Sequence, residues 1–343
     1  MTEVRIPYQH LLETLKSILL RLGFSEDRAG LSAELFAKAN LDGVASHGLN
    51  RFPSFLKMIE QKYVLVDALP QILSKQGFFE RWDGLSGPGN LNAHHAMGRA
   101  ISLSQENGIG LVALKNTNHW MRAGNYGWQA VEKDCIGLCF TNTKPNMPAW
   151  GGSEPILGNN PLVIAFPRKE GPIVLDMAMS QFSYGKMSSY LREHKNMPYE
   201  AGFDQTGKLT KEPKEIIEKE MALPIGLWKG AGLALLLDLL ASVLADGNAT
   251  HDIGQLKTEY NVSQIFISLN PVFLGIPDFS QDKVNDIIEN FKTSATFGSN
   301  QVRYPGEKTL ETRLLNLNEG VPVDQDIWNE VLNILEKLKN QGD

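Results

Sequence analysis

The sequence predicts an α/β (α+β) protein, a mixed body of strands and helices between helical N- and C-terminal regions. Three observations carry this. Apolar residues near the N-terminus repeat with the period of a helix, the middle of the chain alternates short β-branched or aromatic runs with helical stretches, and the C-terminal part returns to helical spacing. The 343 residues correspond to about two domains at roughly 100–200 residues each. The division read from the pattern is a helical region, residues 1–70 with 280–343, and an α/β body, residues 71–279.

Leu11, Leu12, Leu15, Ile18, Leu19 and Leu22 mark one face of a first helix. Gly23 stands where a C-capping glycine belongs, and Ser25 is an N-cap for a second helix ending by Gly43. A third helix begins near Ser46 and carries Phe52, Phe55, Leu56 and Ile59, with Pro53 in its first two turns. A glycine-rich loop over 83–90 leads into a helix over 92–107. Strands follow at 110–114, 136–141, 162–166, 173–175 and 264–269, with a helix at 126–133 between the first two. Residues 185–222, polar and rich in lysine and glutamate, read as a surface excursion. Residues 230–245 are the strongest candidate for a buried helix. The apolar stretch over 232–245 is too short to span a bilayer and contains Asp238. Helices at 280–294 and 324–340 close the chain.

Composition excludes several classes. With 42% hydrophobic and 21% charged residues, the chain is neither disordered, collagenous nor a long coiled coil. A net charge of −6 gives no basic face for nucleic acid. The two cysteines, Cys135 and Cys139, cannot make a disulfide scaffold, and no His/Cys spacing suits zinc, so no metal is expected. The N-terminus lacks the basic-then-apolar pattern of a signal peptide. The expectation is a reduced, cytoplasmic protein with no membrane or nucleic-acid partner.

Familiar motifs fail. Residues 202–209 begin like a phosphate-binding loop, but Leu209 cannot supply the hydroxyl that follows the lysine, and a surface turn explains them. Gly230-Ala231-Gly232 opens a helix like half a dinucleotide fingerprint, but Leu235 occupies the third small position. Two glycines allowing close helix packing explain it better. No Gly-x-Ser-x-Gly elbow is present.

Two polar clusters remain. In Ser46-His47-Gly48-Leu49-Asn50-Arg51, a helix would put His47 and Arg51 on one face. An imidazole beside a permanent cation suits acid–base work on an anion, and the guanidinium can grip a carboxylate with two hydrogen bonds. The second cluster, residues 116–128, carries His119, Trp120, Arg122 and Trp128 just beyond a strand, where α/β proteins bind ligands. A weaker third signal is Asn142-Thr143-Lys144 with Gly158-Asn159-Asn160-Pro161. By themselves these residues describe a His/Arg pocket for a small anion and leave the reaction open.

The same segments resemble the malate/L-lactate dehydrogenase family, which lacks a Rossmann fold. The resemblance runs along nearly the whole chain: Gly43-Val44-Ala45-Ser46-His47-Gly48-Leu49-Asn50-Arg51-Phe52-Pro53, then Asn118-His119-Trp120-Met121-Arg122-Ala123-Gly124, residues 174–185, 209–213 and 227–232. It implies a mixed-sheet, NAD-binding fold and a homodimer. It also implies His47 as proton donor, with Pro172, Ile173, Val174, Leu175, Asp176, Met177, Ala178, Trp228, Lys229, Gly306, Glu307 and Lys308 as cofactor-binding residues. Glu307 and Lys308 depart from the family pattern, which carries a histidine and an acid there. The Trp120-Met121-Arg122 loop is bulkier and more cationic than in malate- and lactate-type members and points to a 2-oxo sugar acid.

The resemblance therefore implies hydride transfer from NAD(P)H to the C2 carbonyl of such an acid. Arg51 either binds the carboxylate or orients His47. His119 contacts the substrate or positions the nicotinamide, and Arg122 contacts a distal hydroxyl or second carbonyl. Asp176 favours NADH by repelling a 2′-phosphate, with NADPH as the alternative. Malate, L-lactate or ureidoglycolate dehydrogenation is the alternative within the family; an idle sugar-acid or nucleotide-binding protein is the alternative outside it.

Overall fold

The computed structural model describes residues 3–276 and 281–340. The chain begins with β1 (Glu3–Ile6), α1 (Tyr8–Arg21), α2 (Glu26–Leu41), two 3-10 turns (Ala45–His47 and Leu49–Arg51) and α3 (Phe52–Glu60). The body follows: β2 (Gln71–Gln76), β3 (Phe79–Asp83), α4 (Gly89–Asn107), β4 (Ile109–Thr117), α5 (Gly124–Val131), β5 (Ile136–Thr141), β6 (Met147–Pro148), β7 (Pro155–Leu157), β8 (Leu162–Phe166) and β9 (Ile173–Met177). An excursion of α6 (Tyr184–Arg192), β10 (Gly202–Phe203), β11 (Leu209–Thr210) and α7 (Pro213–Lys219) precedes α8 (Trp228–Ala245), α9 (Thr250–Gly254) and β12 (Val262–Leu269). The last elements are α10 (Gln281–Lys292), α11 (Glu307–Glu319), β13 (Val321–Asp324) and α12 (Gln325–Asn340).

Seven strands form one sheet in the order β2-β3-β4-β12-β5-β8-β9. Among the described residues of this sheet only β3 and β4 pair parallel, with α4 crossing between them; the other neighbours are antiparallel. This is not a doubly wound parallel sheet, which is why the glycine fingerprint has no strand to follow. Successive side chains of β4 point to opposite faces. Val112 and Leu114 pack with Ala96, Met97 and Tyr126 from α4 and α5, while Ala113 joins Ala234, Leu237 and Ala241 of α8. A third core lies outside the sheet, where Leu11, Leu15, Ile18 and Leu19 of α1 meet Phe36, Phe52, Phe55 and, from α12, Trp328 and Val331.

Several elements differ from the sequence reading. The third helix does not begin at Ser46. The chain makes two 3-10 turns instead, hinged at Gly48, because the Asn40 side-chain oxygen accepts the Leu49 N–H at 2.5 Å and occupies the space where a Cβ on Gly48 would sit. The strands β1 and β13 were not foreseen. Each is four residues long, too short for a periodic signal, and they pair antiparallel to tie the two ends of the chain together. The hairpin β2–β3 and α11 were also missed. The loop-like 202–209 segment is a small hairpin of β10 and β11.

The largest correction concerns α8. It is 18 residues long, beginning before the predicted start, and by length and hydropathy alone could cross a membrane. It is not fully buried. Gly230, Ala231, Ala234, Leu237, Ala241 and Ala245 face the protein, whereas Leu236, Leu240 and Val243 are 55%, 48% and 68% exposed. Asp238 in its middle accepts hydrogen bonds from the Asn142 side chain and the Thr250 N–H. Of the two glycines, only Gly230 packs tightly; a Cβ there would lie 2.1 Å from the Ile225 carbonyl oxygen, while Gly232 faces open space.

The approach of α4 to β4 depends on Gly110, where a Cβ would lie 2.0 Å from the Ala100 carbonyl oxygen and 2.7 Å from the Leu103 Cβ. Gly110→Ala is expected to lose about 1–3 kcal/mol of stability from overpacking, read as a lower urea midpoint at unchanged slope.

Candidate active site

A cleft of about 570 Å³ opens between the N-terminal helices, the loop after β4, the end of β9 and the start of α11. His47 and Ser46 reach it from the first 3-10 turn, which α2 and the Asn40 contact hold in place. Ser46 Oγ lies 3.0 Å from His47 Nδ1. On the facing side, the β4–α5 loop supplies His119, Trp120, Met121 and Arg122. Trp120 anchors this loop, buried edge-to-face against Phe266, and its carbonyl accepts the Tyr126 hydroxyl at 2.5 Å. The two imidazoles lie nearly parallel, with centroids 5.9 Å apart.

The histidines are electrically different. His119 Nδ1 accepts the Met121 N–H at 3.0 Å, so the neutral ring carries its proton on Nε2. Burial, with Arg51 and His47 as neighbouring charges, pushes its pKa well below 6.5. His47 is also lowered by burial and by Arg51 and Arg122, but the Asp176 carboxylate opposes the shift. Among the two rings, His47 is therefore the one with a charge beside it that favours the imidazolium.

Asp176 closes the strand side of the cleft. The Gly124 N–H, at the start of α5, donates to its Oδ2 at 2.8 Å, an arrangement a helix N-terminus favours. Val174, Leu175, Ala178 and Gly306 line the same wall. The Val174 N–H donates to the Pro305 carbonyl at 2.9 Å. Gly306 has φ +95°, and a Cβ there would lie 3.0 Å from the Val174 nitrogen. This backbone cradle and the adjacent carboxylate fit a dinucleotide, which needs close main-chain approach and an acceptor for ribose hydroxyls.

The cleft thus brings together His47, His119, Arg122, Val174, Leu175, Asp176, Ala178 and Gly306. It does not bring in every predicted residue. The turn at Gly48 removes the shared helix face expected for His47 and Arg51. Arg51 instead lines a separate groove of about 700 Å³ with Lys144 and Glu259, and a small cavity behind His119. Pro172, Ile173 and Met177 do not line the cleft, and Trp228 and Lys229 are exposed at the start of α8. Glu307 pairs with Lys292 in a neighbouring groove, and Lys308 is exposed.

Arg122 is not a free cation. It is 4% exposed and ion-paired with Asp42, which also binds Arg313 Nε and Nη2 at 2.6 and 2.8 Å. The sequence reading missed Asp42, Arg313, Tyr304 and Thr309. One signal existed: Asp42 follows the last turn of α2, where the helix dipole disfavours an acid, so a tertiary cation was to be sought for it.

Comparison with known proteins accounts for this architecture. The malate/L-lactate dehydrogenase family model matches residues 6–332. A 2,3-diketo-L-gulonate reductase from Citrobacter koseri is 41% identical over 332 residues, covering 96% of this chain and 99% of the relative. One from Escherichia coli O139:H28 is 39% identical over 331 residues, with the same coverage. Among solved structures, a malate dehydrogenase from Entamoeba histolytica superposes with a TM-score of 0.93 at 26% identity, covering 98% of this chain and 99% of that one. The mixed sheet, the cleft and these full-length matches place the chain in the malate/L-lactate dehydrogenase family, as an oxidoreductase of 2-oxo and 2-hydroxy acids.

Proposed function

We propose that this protein reduces the C2 carbonyl of 2,3-diketo-L-gulonate to 3-dehydro-L-gulonate, with NADH as the preferred hydride source and His47 as the proton donor. The observation that carries the reading is the meeting of His47, His119, Arg122 and Asp176 in one cleft. The relatives named above support the substrate, as does the bulky Trp120-Met121-Arg122 loop lining that cleft.

A bound nicotinamide cofactor supplies the hydride. The protein's residues do the rest. The backbone at Val174 to Ala178 and Gly306 supports the dinucleotide, with the free oxygen of Asp176 accepting ribose hydroxyls. The neutral His119 Nε2–H donates to the substrate oxygen and orients the carbonyl. As the carbonyl carbon gains the hydride, its oxygen gains electron density and takes the proton of His47. Arg122 offers N–H groups to the second carbonyl or a distal hydroxyl, and Arg51 holds positive charge behind His119 for the substrate carboxylate. Trp228, Lys229, Glu307 and Lys308 keep only the family resemblance as support for a cofactor role.

The exposed leucine face of α8 supports a homodimer, because an apolar stripe of this kind on a soluble enzyme is ordinarily covered. Two buried free thiols, Cys135 and Cys139, agree with a cytoplasmic setting.

Loss of NADH absorbance with 2,3-diketo-L-gulonate, compared with pyruvate and oxaloacetate, tests the substrate. Higher kcat/KM with the simple acids would make this a malate- or lactate-type enzyme. His47→Ala is expected to lose on the order of 10²–10⁴-fold in kcat while still binding NADH; unchanged turnover removes His47 from the chemistry. Reduction needs the imidazolium, so kcat/KM should fall as pH rises through a midpoint below 6.5. Asp176→Asn should move that midpoint lower still, and a midpoint above 6.5 contradicts the assignment. Leu240→Glu should convert a dimer to monomer in light scattering; a monomeric wild type excludes the dimer.

A further inference from the structure

Three remote segments meet at one carboxylate. Asp42, at the end of α2, is 1% exposed at its side chain and touches two guanidiniums. Arg313 of α11 forms a two-pronged fork with it, and Arg122 of the β4–α5 loop binds one of the same oxygens. Arg313 also sits 4.5 Å above the Trp128 ring, which lines the cleft. The helix α11 is docked there a second time, since the Asn316 side chain donates to the Leu41 carbonyl at 2.8 Å. Its close approach to the turn leaves 3.1 Å between Thr312 Cγ2 and a Cβ built on Gly43. Two cleft elements follow from this junction. His47 lies on the chain just beyond Asp42, and Gly306 and Thr309, at the start of α11, form the opposite wall. Arg122 Nε is buried with no partner among the described residues, in a side chain that lines the cleft.

We propose that Asp42 is a positioning residue for the reaction: its carboxylate sets the Arg122 guanidinium at the cleft and holds α11 as the cleft wall. This rests on reading the cleft as a site of 2-oxo acid reduction. Arg122 spends one nitrogen on Asp42 and keeps others for a ligand oxygen, so its direction is fixed before substrate arrives. Two guanidiniums sharing one carboxylate leave a single net positive charge to face an anionic substrate. A lysine at position 313 would lose the planar fork on Asp42.

The test is a double-mutant cycle on the full-length protein with Asp42→Asn, Arg122→Gln and both, read in kcat/KM with NADH and 2,3-diketo-L-gulonate. Asp42→Asn alone should cost on the order of 10²-fold, as misplacement of a binding group does. In the Arg122→Gln background the same change should cost at least about tenfold less, because the share that acts through Arg122 is already gone and only the hold on α11 remains. Equal costs in the two backgrounds overturn the proposal. The pH profile gives a second readout. The groups facing His47 are Asp176, Arg51, Arg122 and His119. Freeing the charge of Arg122 should move the midpoint of reduction to lower pH, and an unmoved midpoint with lost activity marks a merely structural residue. If Asp42→Asn does not fold, Asp42→Glu decides: it should keep the midpoint and raise KM for the acid, and an unchanged KM overturns the proposal. A wild type that turns over no 2-oxo acid is a failure of the reading itself. NADH affinity then tests the α11 wall, with weaker binding to Asp42→Glu expected and equal affinities against it.

Discussion

The Asp42 carboxylate is the interaction on which the site depends. A charge buried to this degree is tolerated only with partners, and removing one partner leaves the others stranded. The partners come from the β4–α5 loop and from α11, far apart in sequence. Satisfying one acid therefore brings the β4–α5 loop, the last turn of α2 and α11 into one arrangement. Burial opposes the ionisation of Asp42, but its hydrogen bonds from Arg313 and Arg122 and their charges hold its pKa below the ordinary carboxylate value. This contribution is complete at neutral pH and is lost as pH falls through the lowered value.

The second constraint is electrical asymmetry between two similar rings. His47 and His119 are stacked in one cleft, and both are disfavoured as cations by burial. One backbone N–H, from Met121, occupies Nδ1 of His119, and protonation there would forfeit that hydrogen bond. His47 meets instead a hydroxyl and the field of Asp176. The electrical difference between the two rings follows from these neighbours, not from the residue type.

Legibility varied with the range of the interaction that builds each feature. The helix α1, the strands β5 and β8 and the helix α12 were readable because their burial repeats along the chain. The strands β1 and β13 were not, because each is stabilised only by the other. The helix α8 misled because it is apolar all round, and periodicity cannot separate a face packed on Ala113 and Ile265 from one bearing Leu236 and Leu240. Within the site, His47, His119 and Arg122 stood out in clusters of unusual polarity. The single helix face expected for His47 and Arg51 did not form, because the turn at Gly48 is held by Asn40, a contact that no local spacing encodes.

By itself, the sequence determined the α/β class, the succession of most elements, the two histidine-bearing segments and, through whole-length resemblance, the family. These are carried by local pattern or by many ordered matches. Tertiary structure alone decided that β3 and β4 pair parallel within an otherwise antiparallel described sheet, that Arg122 is bound to Asp42, that His47 and Arg51 sit on separate 3-10 turns, and that half of α8 is left bare. Each of these depends on a partner from a distant segment, and the free energy of such a contact belongs to the pair and is written in neither stretch of sequence alone.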